Sequence, residues 1–151
     1  MKQLHVAFIA ACAIFLGACS NDTYEPREIQ AETDICAICN MSITHVDYAA
    51  QSVLKNGDTI VFDDMGCLMA YREEHGDENI GASYIRDFES NAWLNIQDAS
   101  YVYDSEHWTP MNYGVLAFAN EEAAQAFIDE TSGELLAYTD LTTFNWGVHE
   151  H

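Results

Sequence analysis

Positive charge is nearly absent from this 151-residue chain. Five Lys and Arg stand against 25 Asp and Glu, for a formal net charge of −20. After the first ten positions only Arg27, Lys55, Arg72 and Arg86 remain, and they are scattered. Phosphate recognition needs a cationic surface, so nucleic acid is excluded as a partner and anionic lipid headgroups are poor ones. A membrane-spanning helix is missing too, because the apolar run from Val6 to Leu16 falls short of the roughly 20 residues required. No Ser-His-Asp set with a nucleophile elbow, no Gly-rich phosphate loop and no His-Glu-x-x-His is present. The carboxylate pair Asp63-Asp64 sits where a helix cap explains it, so the chain does not read as an enzyme. What is there in quantity is apolar surface. Hydrophobic residues make up 49% and aromatics 12%, which excludes a disordered acidic tail. The length allows one domain or two small ones.

Lys2, the apolar run and Leu16-Gly17-Ala18-Cys19 form a secretory signal over residues 1–18. Its end resembles the bacterial lipobox, in which the cysteine is lipidated and becomes the first mature residue. The expectation is a protein outside the cytoplasm, anchored to a bacterial membrane by lipid on Cys19. Residues 19–33, with Pro26 and the acidic Asp22, Glu25, Glu28 and Glu32, read as an acidic tether. Cys12 leaves with the signal, so Cys36, Cys39 and Cys67 remain. Three thiols cannot all pair internally, and an oxidising compartment does not leave thiols idle. At least one is free or bound to something.

Two strand-like runs, Asp47 to Leu54 and Thr59 to Phe62, flank Lys55-Asn56-Gly57-Asp58, a strong hairpin signal in which Asn56 and Gly57 are both expected at positive φ. Asp63 or Asp64 caps a helix to about His75, with Gly76 just past its end and Met65, Leu68 and Met69 on one face. Ala82 to Phe88 is the next strand. The order then repeats: Trp93 to Tyr103 as a long or broken strand, Tyr113 to Phe118, a helix capped by Asn120 and ended by Gly133, and a strand from Glu134 to Tyr138. The fold class is therefore α+β: two ββαβ units with antiparallel hairpins and one helix each, behind the signal and tether. The units span residues 34–90 and 91–140, followed by a C-terminal tail over 141–151.

The chemistry concentrates in Cys36-Ala37-Ile38-Cys39-Asn40-Met41. A Cys-x-x-Cys can be a redox dithiol, half a zinc site or a soft-metal site. Zinc usually takes four N or S ligands, and neither a second Cys-x-x-Cys nor a His pair is present. A redox dithiol is expected in a βαβ context, which the surrounding sequence lacks. Met41 adds a thioether, a ligand suited to soft Cu(I). Met111, in the turn between Pro110 and Gly114, is a second source of sulfur from the other unit. The plain alternative for both methionines is core packing.

Together, Cys36-x-x-Cys39-x-Met41, Phe62-Asp63-Asp64-Met65-Gly66-Cys67, the strand from Trp93 through Ala99-Ser100-Tyr101-Val102 and Pro110-Met111-x-x-Gly114 resemble the NosL family. The resemblance covers most of residues 34–140. It implies a lipid-anchored Cu(I) metallochaperone of two ββαβ units, distantly similar in fold to organomercurial lyase. It also implies delivery of copper to maturing nitrous-oxide reductase, alongside an ABC-type maturation complex. Under the resemblance Cys39 and Met41 take the family's Cys-x-Met positions, Met111 its second-half methionine, and Cys36 a cysteine found in many members. The commoner family form has Gly where this chain has Asn40, a residue that tolerates the same backbone angles.

Other candidates have plainer roles. Cys67, Met65 and Met69 read first as core, with Cys67 and His107 as optional further ligands. His75 suits a helix C-terminus, and His149 and His151 lie at the chain end. Two other classes stay open: a thiol-disulfide protein using Cys36 and Cys39, and a structural or adhesive lipoprotein. A general copper carrier for another cuproenzyme is a third, related reading.

Overall fold

The computed structural model describes residues 23–146. The signal sequence, the lipobox cysteine Cys19, Cys12, His149 and His151 lie outside them. In chain order the elements are β1 (Ala50–Leu54), β2 (Thr59–Phe62), α1 (Met65–His75), β3 (Ile80–Arg86), β4 (Trp93–Asn95), β5 (Ser100–Tyr103), β6 (Val115–Phe118), α2 (Glu121–Glu130), β7 (Glu134–Leu136) and α3 (Tyr138–Leu141). The first sheet has the order β2-β1-β3-β4 and the second β6-β5-β7, with every pairing antiparallel. In each unit the first strand therefore sits between the second and the third. The α+β class expected from the hydrophobic pattern is present, two antiparallel sheets with few helices, although β4, expected in the second unit, joins the first sheet and α3 is an additional helix.

Local chemistry explains the boundaries. Asp64 caps α1 by accepting the Cys67 N–H, and Gly76 follows its last turn at φ 74°. Asn120 caps α2 through the Ala123 N–H, with Glu121 and Glu122 at the positive end of the helix. That helix stops one turn's width before Gly133, at an extended Thr131 whose hydroxyl bonds the Phe127 carbonyl. The β1–β2 turn differs from expectation. Only Gly57 has positive φ (92°), and Leu54 N–H reaches Asp58 O, a longer turn that asks nothing unusual of Asn56. The run from Trp93 to Tyr103 is broken: β4 completes the first sheet, the chain turns at Ile96, and β5 opens the second. Trp93 in β4 carries the Arg86 guanidinium 3.8 Å above its ring.

Burial follows the strand alternation. On the second sheet Tyr101, Val115 and Ala117 face the main core, whereas Val102, Leu116 and Phe118 pack under Ala124 of α2. β1 is buried on both sides. Ser52 faces α1, its hydroxyl 2.8 Å from that of Ser83, while Gln51 faces the other way. That second face is covered by residues 23–34, the segment read as a tether. The Gln51 side-chain amide accepts the Arg27 N–H at 3.0 Å and donates to the Arg27 carbonyl at 2.8 Å, pinning the segment over the sheet face. Tyr84 donates to the Tyr24 carbonyl, Ile29 is buried, and Glu28 pairs with Arg86 at 2.7 Å. Thr23, Tyr24 and Glu25 lie beside the β1–β2 turn at Lys55–Gly57. The C-terminal segment is also packed. Leu141 is fully buried, Tyr138 accepts from Arg72 of α1, and the Trp146 indole donates to the Leu141 carbonyl.

Candidate metal centre

Residues 35–42 form a small knuckle, closed by a bridge between Ile35 and Ser42. Cys36 N–H bonds the Met41 carbonyl at 2.9 Å, and Asn40 N–H returns to the Cys36 carbonyl at 3.1 Å. Asn40 makes that return at φ 58°, a left-handed conformation that Asn tolerates better than most residues. Ala37 N–H bonds the Val61 carbonyl, which pins the knuckle to the end of β2. β2 leads directly into α1, so the first turn of that helix comes back beside the knuckle.

The consequence is a cluster of three sulfurs. Cys36, Cys39 and Cys67 place their Sγ atoms within 4.8 Å of one another. Cys67 is buried in the main core, as its helical position suggests, and the Asp64 cap also holds it facing the two knuckle cysteines. The available signal was the odd thiol count together with a cysteine three residues past a helix cap. Cys36 is 0% exposed and Cys67 1%, while Cys39 is half-buried and opens toward solvent.

The electrostatics are uneven. Cys36 Sγ accepts the Cys67 S–H and the backbone N–H groups of Cys39, Ile38 and Asp63. With the Cys67 bond contributing most, and against burial, its thiol is pulled down to about 5. Burial pushes Cys39 up to about 11, although the Met41 N–H donates to it. Cys67 is raised by its role as donor to Cys36 and by burial. In the metal-free cluster Cys36 is therefore the sulfur that ionises first, and Cys39 and Cys67 hold their protons to higher pH. Asp63 and Asp64 are nearly inaccessible, and burial lifts each to about 6.

Asp64 joins the two halves of the molecule. One carboxylate oxygen accepts the Cys67 N–H at 3.2 Å, and the other accepts the Met111 N–H at 3.1 Å. Met111 thus stands beside the first turn of α1, partly buried against the main core. Its turn is set by the buried Thr109, whose hydroxyl accepts from Tyr113 and Gly114 N–H. The Tyr113 ring lies directly on Gly66, leaving no room for a Cβ there. Gly66→Ala is expected to unseat that ring and destabilise the protein by about 1–3 kcal/mol. A thermal-melting midpoint equal to the parent's would show that the ring moves aside at no cost.

The remaining candidates divide. Met41 is 46% exposed and so is not a core residue, while Met65 and Met69 are buried core. His107 is engaged elsewhere, 3.2 Å from the Tyr48 hydroxyl and edge-on to Phe88 and Phe127. His75 ends α1 against the Tyr71 ring.

Comparison with known proteins returns three results. A family model described as NosL matches residues 26–145. A comparison with curated proteins returns no match. Among solved structures, the copper chaperone NosL from Shewanella denitrificans is similar, with a TM-score of 0.65 and 21% identity. The similarity covers 77% of this chain and 96% of that one. At that identity the likeness speaks for the fold. The family match takes in the knuckle, the capped helix with Cys67 and the Met111 turn in a single span, and the chain belongs to the NosL family.

Proposed function

We propose that this protein is a Cu(I) metallochaperone rather than an enzyme, carrying copper as cargo for the maturation of nitrous-oxide reductase. The observation that carries the reading is the convergence of three sulfurs within 4.8 Å, reached from solvent through Cys39. Thiolates and thioethers are the donors that soft Cu(I) prefers, and it is content with few of them. Zinc ordinarily takes four ligands in a closed site, and the cluster supplies three. The shared fold of the copper chaperone from Shewanella denitrificans supports the same metal.

In this reading Cys36, Cys39 and Cys67 are the thiolate donors, and Met41 and Met111 are thioether donors from the knuckle and the second unit. Few strong ligands beside weak ones allow release by ligand exchange, which delivery requires. Lipid on Cys19 would hold the protein to the outer side of a bacterial membrane. There it would meet the reductase and an ABC-type maturation complex, the partners that family membership suggests.

Anaerobic titration with Cu(I) against a chromophoric chelator tests this. One equivalent is expected to bind tightly, and Cys39→Ser to lose it. Met111→Leu, which conserves volume, is expected to weaken binding with no change in the fold. Equal binding by parent and Cys39→Ser would remove the cluster from any metal role. Unchanged affinity in Met111→Leu would remove that residue alone.

A further inference from the structure

Three thiols this close are also a redox centre, and their unequal access fixes which sulfur an outside reagent can reach. Cys36 and Cys67 are closed to solvent, at 0% and 1% exposure, so only Cys39 is open to attack. Cys36 lies in the same knuckle, which its N–H closes on the Met41 carbonyl and its carbonyl closes on the Asn40 N–H, with its sulfur within 4.8 Å of that of Cys39. The reachable sulfur and a closed one are therefore neighbours in one knuckle. Thiol–disulfide exchange depends on access to the attacked sulfur, which makes Cys39 the point of entry.

We propose that the metal-free protein is a substrate for thiol–disulfide exchange, in which Cys36 and Cys39 close as a disulfide that an external dithiol reopens by attack at Cys39. Closure begins when Cys39, as thiolate, attacks a protein or low-molecular-weight disulfide. An S–S bond to Cys39 forms and one external thiolate departs. Cys36 then attacks Cys39 Sγ and expels the second external thiolate. The two electrons end on the external disulfide, whose departing thiolates take up protons and leave as two thiols. Reopening runs in reverse: a dithiol attacks Cys39, Cys36 leaves as thiolate, and the second thiol of the reductant resolves the mixed disulfide. Cys67 keeps its thiol throughout. Closure removes two of the three thiolate donors, so metal loading has to follow a reaction of the dithiol-reductase class. Only that last link rests on the copper reading; the exchange itself does not.

The test equilibrates purified metal-free protein in glutathione buffers from reducing to oxidising poise. Samples are quenched with acid, alkylated and mapped by peptide mass spectrometry. A single Cys36–Cys39 disulfide with Cys67 alkylated is expected. Cys36→Ala, lacking the resolving thiol, should accumulate a glutathione adduct on Cys39. Cys39→Ser should take up no adduct and form no disulfide in the time the parent needs to close. Three free thiols across the whole range, a bridge that includes Cys67, or an adduct on Cys39 that Cys36 never displaces would each overturn the proposal. Copper titration of the same sample separates the two readings. Exchange without copper binding sinks the chaperone reading alone, and copper binding without exchange sinks this one alone.

Discussion

Cys67→Ala is expected to weaken Cu(I) binding by about a hundredfold, near 2.7 kcal/mol, in competition with a chromophoric chelator. The magnitude follows from what Cys67 is in this fold. Losing groups that merely support a metal ligand typically costs 10–100-fold, and a direct thiolate donor belongs at the upper end of that range or beyond it. Fold damage would not produce such a loss. The side chain is small, and Ala fills most of its volume on a helix whose N-terminal cap uses the residue's backbone N–H rather than its sulfur. Removing buried sulfur should cost about 1–2 kcal/mol of stability, read as a modest drop in melting temperature. An affinity equal to the parent's would return Cys67 to simple core packing and leave copper to the knuckle and the methionines.

Copper affinity should also climb steeply with pH, by about a hundredfold per unit between roughly pH 6 and 9. The sign and slope come from the protons the site must give up. Cys36, held down to about 5 by the Cys67 hydrogen bond and the backbone donors, is already a thiolate at neutral pH. Cys39, pushed up to about 11 by burial, and Cys67, raised as donor to Cys36, still carry protons. Coordination by all three sulfurs therefore expels two protons, and each contributes about tenfold per pH unit. Below about pH 5 Cys36 protonates as well and the slope steepens further. Proton release measured with a pH indicator during anaerobic titration reads the count directly. A release near one proton would mean that a single neutral thiol joins Cys36, and that the third sulfur stays out of the site.

The parts of the fold that were legible in sequence are those governed by short-range chemistry. Asp64 and Asn120 declare helix starts because a carboxylate or amide before an apolar stripe satisfies exposed N–H groups. The repeated order of strands and helix followed from alternation and turn residues. Long-range placement was harder to read. Cys67 and Met65 look alike in a periodicity argument, and both are buried in the core, yet only Cys67 also meets two other thiols. Deciding between them needs the Ala37-to-Val61 hydrogen bond, which brings the knuckle to the end of β2. Residues 23–34 are polar and read as solvated chain, and their seat on the sheet face rests on the Gln51 side chain pairing with the Arg27 backbone, a contact that needs no apolar residue. Met111 was legible as a misplaced methionine in a turn, and the Asp64 carboxylate shows which helix that turn meets.

The path of residues 23–34 bears on how the sulfurs are approached. The segment starts beside the β1–β2 turn at Lys55–Gly57 and runs along the sheet to the knuckle, which is tied to the far end of β2 through Val61. The start of the described chain and the sulfurs therefore lie toward opposite ends of the first sheet. The chain enters this domain at the end away from Cys39, so its own entry point leaves the approach to the sulfurs clear.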